Sequence, residues 1–303
     1  VDEVGVKIGG RLIRCSSESE WLQARENGIT GTGASKACGV NPYMSRYYFW
    51  CLLTGQVCEE SSSADEDYGP AYWGRTLEPH VIEVFRQSTG LRVHQDPPWS
   101  LRQDSTDDFI LGTPDGYILD EHGRLGILEV KTGGAYTSHW WDDGAIPQHY
   151  LIQVYHYMAI TGAGYAYFAV LLGGQKYKHI YVPRDERFIG QLREAEKKFW
   201  DHVINVIPVP VDGHETTKEA IKARYTQYDE ERTVDLGNES AEHDAKLTEA
   251  RDQIAYWQEV KQRSENYFKD AIGENAFGRI PGTNVKYSYR GRKTRRLNRR
   301  VEG

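Results

Sequence analysis

Apolar and polar positions along the chain alternate between helix-like and strand-like stretches. Residues 16–27 follow a helical pattern with Ser17 or Ser19 placed to cap it. Gly28-Ile29-Thr30-Gly31-Thr32-Gly33-Ala34-Ser35 then forms a glycine-rich turn opening a second helix. Asn41-Pro42-Tyr43 breaks the chain before a helix over 47–55, and residues 59–69 make a polar acidic loop. Over 72–89, Leu77, Val81, Ile82, Val84 and Phe85 share a helical face, with Gly90 as the stop and Glu78 inside that apolar face. Pro79 marks a kink or a helix start. Two strands are predicted, about 108–119 and 125–131, the second containing the run Leu125-Gly126-Ile127-Leu128. A helix over 146–162 follows, then a hairpin of 165–172 and 177–182 turning at Gly173-Gly174. An amphipathic helix over 185–204, with Ile189, Leu192, Ala195 and Phe199 inward, completes an α/β arrangement: a mixed sheet flanked by helices.

Pro208-Val209-Pro210 reads as a boundary, giving a core of 1–210 and an extension of 211–303. In the extension, 241–272 forms one long charged helix whose seam (Leu247, Ala250, Ile254, Trp257, Phe268, Ala271) is interrupted by Lys261 and Ser264. That break favours an arm packed on the body or on a neighbouring subunit over a long coiled coil. A small β-unit over 282–290 precedes a basic end.

Composition agrees with a folded, core-bearing chain: 303 residues, 39% hydrophobic, with eight tryptophans and 20 tyrosines. No apolar run approaches the roughly 20 residues of a membrane span, and no signal-peptide pattern opens the chain. Cys15, Cys38, Cys51 and Cys58 lack any CxxC spacing and read as reduced, mostly buried thiols, so an intracellular, cytoplasmic protein is expected. The net charge of −7 is unevenly spread. Residues 276–303 hold nine Lys/Arg against Glu302, a local +8, which leaves −15 on the rest. Such an end attracts polyanions or serves as a disordered solubilising tail.

The strongest chemical signal lies in Gly112-Thr113-Pro114-Asp115-Gly116 and Glu129-Val130-Lys131. A hairpin turning near His122 sets Asp115 and Glu129 opposite one another or one position off, with Cβ atoms roughly 4.5–5.5 Å apart. Glu129 and Lys131 leave the same face of their strand. Two hard carboxylates suit Mg²⁺ or Mn²⁺ acting on a phosphodiester, with the lysine beside the attacking water. The plainer reading is a turn aspartate and a surface ion pair worth about 0–1 kcal/mol. A Glu-x-Lys ending an apolar strand argues against it.

In order, Glu78 on a helix, Asp115, Glu129-x-Lys131 and a helix with Gln153-x-x-x-Tyr157 resemble the PD-(D/E)xK nucleases. The chain is similar in detail to the YqaJ viral recombinase family, which includes phage lambda-type exonucleases. The similarity covers about residues 15–205 and rests also on Gly28 to Thr32, Asn41-Pro42-Tyr43, Gly74-Arg75-Thr76-Leu77-Glu78-Pro79 and Pro147-Gln148-His149-Tyr150-Leu151-Ile152-Gln153. It implies a restriction-endonuclease-like core with a C-terminal helical and basic extension. It further implies a protein of a bacterial or phage-infected cell in which Asp115, Glu129 and the Val130 carbonyl bind Mg²⁺, with Glu78 in an outer position, Lys131 acting on water, and Gln153 with Tyr150 or Tyr157 positioning the DNA backbone or the metal site. Arg25 with Thr32 would receive a terminal 5′-phosphate, Ser35 competing with Thr32. Ordinary helix-face polarity is the alternative for Gln153 and Tyr157, and a surface or hydrogen-bonded role is expected of His80 and His149. Trp140-Trp141 either stacks on a base or packs over its loop.

The activity implied is 5′→3′ resection of double-stranded DNA ends, by a homotrimer partnered with a single-strand annealing protein. An endonuclease on the same core and a non-catalytic DNA-binding recombination factor are the rivals. Iron–sulfur relatives need cysteines beyond the core, and none follows Cys58.

Overall fold

The computed structural model describes residues 7–58, 68–291 and 294–301. The chain divides into two units, Val1–Tyr228 and Asp229–Gly303. The first opens with β1 (Arg11–Arg14), α1 (Glu18–Glu26), α2 (Gly31–Ala37), α3 (Arg46–Leu53) and α4 (Pro70–Thr89). Ser17 caps α1 by accepting from the Glu20 N–H, and Thr30 caps α2 through the Gly33 N–H. There follow β2 (Arg92–His94), β3 (Ser100–Gln103), β4 (Leu111–Gly112), β5 (Gly116–Leu119) and β6 (Leu125–Gly133). Two 3₁₀ turns within Ala135–Gly144 lead to α5 (Gln148–Thr161), β7 (Tyr165–Leu172), β8 (Lys176–Pro183), α6 (Glu186–Ile204) and α7 (Glu215–Arg224).

The central sheet has the order β2-β5-β6-β7-β8, parallel between β6 and β7 and antiparallel elsewhere. This is the mixed sheet expected. Alternation along β6 sends Leu128 and Val130 toward Val81, Ile82 and Phe85 of α4. Ile127 enters the core that holds α2, α3, α5 and α6, so Glu129 and Lys131 start on that side as well.

Four expectations need correction. The strand expected over 108–119 is split: β4 joins β1 and β3 in a separate sheet, and β5 begins only at Gly116. Pro114 has no N–H for a ladder, so the chain steps between sheets there. On α4, Val84 is 41% exposed, because the stripe of Val81, Ile82 and Phe85 passes beside it; Pro79 lies inside an unbroken helix. The unit boundary falls after Tyr228 and not at 210. Val209 is buried in the main core, and α7 docks on α3: the Ser45 N–H donates to Thr216 Oγ1 (2.9 Å) and Arg224 Nη1 to Tyr47 Oη (3.0 Å). The acidic loop lies mostly outside the described residues.

The fourth correction concerns the second unit, made of α8 (Ser240–Ile272), β9 (Phe277–Arg279), β10 (Val285–Arg290) and β11 (Arg296–Val301). The basic end is no tail where it is described, since β11 pairs with β10 over six residues in a sheet of order β11-β10-β9. Tyr287 stacks on Phe268 of α8, ring centroids 4.0 Å apart. Seam residues Leu247, Ile254 and Trp257 are exposed within this unit.

Candidate active site

The β5–β6 register pairs Gly116 with Leu128, so the next step brings Asp115 opposite Glu129. Asp115 is no longer in the strand. Its Oδ2 accepts the Val130 N–H at 2.7 Å, taking the place of a ladder carbonyl. N–H and C=O of one strand residue leave by the same edge, so the Val130 carbonyl also faces the space beyond the start of β5. Lys131 Nζ donates to Glu129 Oε1 (2.6 Å) and Gln153 Oε1 (3.0 Å). Gln153 Nε2 donates to the same Glu129 oxygen (2.7 Å) and to Tyr157 Oη (3.1 Å). The four-residue spacing on α5 puts Gln153 and Tyr157 on one helical face above the sheet. Glu129 Oε2 is buried and has no hydrogen-bond partner among the described residues.

These groups line a cavity of about 240 Å³, which Glu78 enters from α4. Burial, then the Asp115 charge, pushes Glu129 up to about 8 and Glu78 up to about 7. Burial also raises Asp115. Burial opposes the charge on Lys131, but Glu129 and Asp115 outweigh it and the amine's pKa is raised. Three carboxyls thus surround one amine in a site short of positive charge. Among the described residues no three His, Cys, Asp or Glu side chains cluster closely enough to hold an ion by themselves. The donor set that fits a hard divalent cation is therefore two carboxylates, with the vacant lone pairs of Glu129 Oε2, plus a carbonyl and water, which is how Mg²⁺ is commonly held.

The other wall of the cavity is built by Arg25 of α1 and by Thr30 and Thr32 around the start of α2. Arg25 lies 4.3 Å over the Trp21 ring; burial lowers its pKa, and it takes part in no ion pair among the described residues. Thr32 is exposed on this wall, whereas Thr30 is engaged as the α2 cap. Ser35 does not reach the cavity. It is buried, donating to the Thr32 carbonyl (3.0 Å) and accepting from Asn41 Nδ2 (2.9 Å), so it braces the turn.

Tyr150 stands behind Lys131, whose Nζ is 4.7 Å from the ring, and stacks on Trp141. Trp141 is buried and Trp140 partly exposed, so the pair divides between packing and surface. His80 is exposed, and His149 packs on Tyr150 with a pKa lowered by burial. Thr113, Thr132 and Gly74 also line the cavity, although the sequence attaches no role to them; Gly74 opens the Gly74–Pro79 motif. Thr113 lies within the Gly112–Gly116 motif and Thr132 follows Lys131 directly, which is the only signal they carry.

Gly31 lets the two walls meet. A Cβ there would lie 2.4 Å from Tyr157 Oη and 2.5 Å from the ring. The ring is buried and tied to Gln153, so it has no room to yield. Gly31→Ala should cost about 1–3 kcal/mol in urea denaturation. Gly33→Ala should cost less, its nearest neighbour being the Phe49 ring edge at 3.1 Å.

Residues 20–164 match the YqaJ-like viral recombinase domain. The uncharacterized protein YqaJ of Bacillus subtilis (strain 168) is 32% identical over 267 residues, covering 87% of this chain and 81% of that protein. Among solved structures, the alkaline exonuclease LHK-Exo of Laribacter hongkongensis superimposes with a TM-score of 0.51 at 20% identity, over 67% of this chain and 98% of the other. Its complex with dAMP gives 0.51 at 21% identity with the same coverage. At that identity the likeness is one of fold, and it agrees with the restriction-endonuclease-like core expected.

Proposed function

Because the chain belongs to the YqaJ-like viral recombinase family, we propose that it is a Mg²⁺-dependent deoxyribonuclease that resects linear duplex ends 5′→3′, leaving 3′ single strands for phage-type recombination. The observation that carries this reading is the buried, unpartnered Glu129 Oε2 in a cavity where Asp115 and Lys131 converge. Asp115, Glu129 and the Val130 carbonyl would hold the ion, with Glu78 further out. When bound, the ion supplies acidification of water and neutralisation of phosphate charge.

The chain's own groups do the rest. Gln153 holds Glu129 and Lys131 in one orientation through both ends of its amide, and Tyr157 holds Gln153. The charge on Lys131 is sustained by Glu129 and Asp115. Held by Glu129 and Gln153, the Lys131 amine would stand beside the attacking water to orient it or take its proton. At the opposite wall, the Arg25 guanidinium and the exposed Thr32 hydroxyl suit a terminal 5′-phosphate, a match of fixed positive charge and donor to a dianion. A homotrimer encircling DNA and a single-strand annealing partner belong to the same proposal.

The test is digestion of end-labelled linear duplex, with and without a 5′-phosphate, in Mg²⁺ or EDTA, beside a covalently closed circle. Expected are shortening of the linear substrate in Mg²⁺ alone, faster with the phosphate, and an intact circle. Digestion in EDTA, or by Lys131→Ala at the wild-type rate, would overturn the reading. A nicked circle would make the enzyme an endonuclease.

A further inference from the structure

The sheet of the second unit carries chemistry that cleavage leaves unused. Lys286 of β10 stands between Arg279 of β9 and Arg300 of β11, and Arg290 stands opposite Arg296. Paired residues share a face and alternate positions return to it, so all five cations point to one side. Like charges opposed across a ladder destabilise it, so folding gains nothing from this arrangement. The other face is occupied, Tyr287 being stacked on α8.

Between the two cationic rows runs a third row, Phe277–Ser288–Asn298. Phe277 is 46% exposed, with Lys286 Nζ and the Arg290 guanidinium 4.7 and 5.1 Å from its ring centre. Ser288 is buried and contributes to a dimple of about 60 Å³ shared with Phe277, Lys286, Arg290 and Arg300. Arg290, Arg296 and Arg300 enter no ion pair among the described residues.

We propose that this face docks single-stranded DNA. The cationic rows answer the phosphates, and the row between them offers an aromatic ring, a hydroxyl and an amide to unpaired bases. A duplex keeps its bases inside and would use the cations alone. The choice of DNA as the strand rests on the proposed cleavage, whose product would be such a strand; the docking chemistry does not.

The test uses the full chain carrying Lys131→Ala, in EDTA so that nothing is cut. Fluorescent oligo(dT) of about 15 nucleotides is titrated by anisotropy at several NaCl concentrations, since sites of this kind cover about 4–16 nucleotides. Replacing Arg290, Arg296 and Arg300 together by Gln should weaken binding at least about tenfold and flatten the log–log salt slope by about 2, at roughly 0.7 per lost phosphate contact. The Gln variant relieves opposed charges and should fold at least as well. The triple Lys variant should keep most of the slope. Phe277→Ala should weaken binding roughly tenfold with the slope unchanged.

Unchanged affinity and slope in the Gln variant would overturn the proposal. So would a blunt duplex that loses as much as oligo(dT) while Phe277→Ala is neutral, because only the cations would then be in use. A chain that docks oligo(dT) as described but cuts no DNA keeps this inference and loses the nuclease reading; the reverse pattern does the opposite.

Discussion

Asp115→Asn should abolish cleavage yet make the metal-free protein more stable. The loss of rate would follow from removing one of the two carboxylates proposed to hold the ion, with several kcal/mol of charge stabilisation, so at least about 10³-fold is expected. The gain in stability follows from the site's own electrostatics. The Asn side-chain carbonyl can still accept the Val130 N–H, so no backbone partner is lost. What disappears is a buried charge that raises both Glu129 and Glu78.

The sign with pH can be worked out. Carboxyls whose folded pKa lies above the unfolded value bind more protons in the folded state, so their contribution is fully present below the ordinary carboxyl range and is lost as pH rises. For Glu129 the window runs from 4.5 to about 8. Wild-type stability without metal should therefore fall across that window, and the advantage of Asp115→Asn should be largest near its upper end. At about 1 kcal/mol for each 2–4 °C in a unit of this size, the melting temperature should rise by a few degrees there. Added Mg²⁺ should raise the wild-type melting temperature strongly at the upper end and weakly at the lower, and leave Asp115→Asn unmoved. Equal Mg²⁺ stabilisation of both proteins would remove Asp115 from the ligand set.

The largest loss of stability is expected from His156→Ala. His156 Nδ1 lies 2.6 Å from Glu196 Oε1 and Nε2 2.8 Å from the Leu111 carbonyl, with His156 and Glu196 both essentially inaccessible. Both partners are acceptors, so with Glu196 ionised both ring nitrogens must donate, and the ring is an imidazolium. Burial opposes that charge, but Glu196 outweighs it and the pKa is raised. Its contribution is present below the unfolded value of 6.5 and is lost as pH rises through the folded one. Removing the ring leaves a buried carboxylate and a carbonyl without donors, a cost of about 3–5 kcal/mol. Replacing both His156 and Glu196 by leucine should recover much of that loss, because no charge is then stranded. Urea denaturation of the two single variants and the double variant reads the coupling directly. A loss below about 1 kcal/mol in His156→Ala would show that the pair is not charged. Leu111 ends four residues before Asp115, so the same ring also ties α5 to the segment that delivers the aspartate.

Counting residues across a hairpin is local arithmetic, and for that reason Asp115, Glu129 and Lys131 could be placed from sequence. Glu78 was legible because a carboxylate interrupts an apolar helical stripe. Partners supplied from far along the chain were not legible. His156 reads as one more helix position until its partners, 40 and 45 residues away, are seen. Ser35 and Thr32 are equivalent hydroxyls on one turn, and only Asn41, folding back onto Ser35, separates them. Pro208-Val209-Pro210 carries the punctuation of a linker although Val209 is buried. In Arg296-Leu297-Asn298-Arg299-Arg300-Val301 a density of charge hid a strand whose outward face has no need of apolar residues.

The contact of the Tyr157 ring with the bare backbone of Gly31 has one more consequence. From the turn that bears Thr32, the phenol reaches the carboxylates through the Gln153 amide, which donates both to Tyr157 Oη and to Glu129. If a strand end seats at the turn as proposed, this buried relay would act as a gauge, holding the end at one distance from the carboxylates so that each product leaves with the same length.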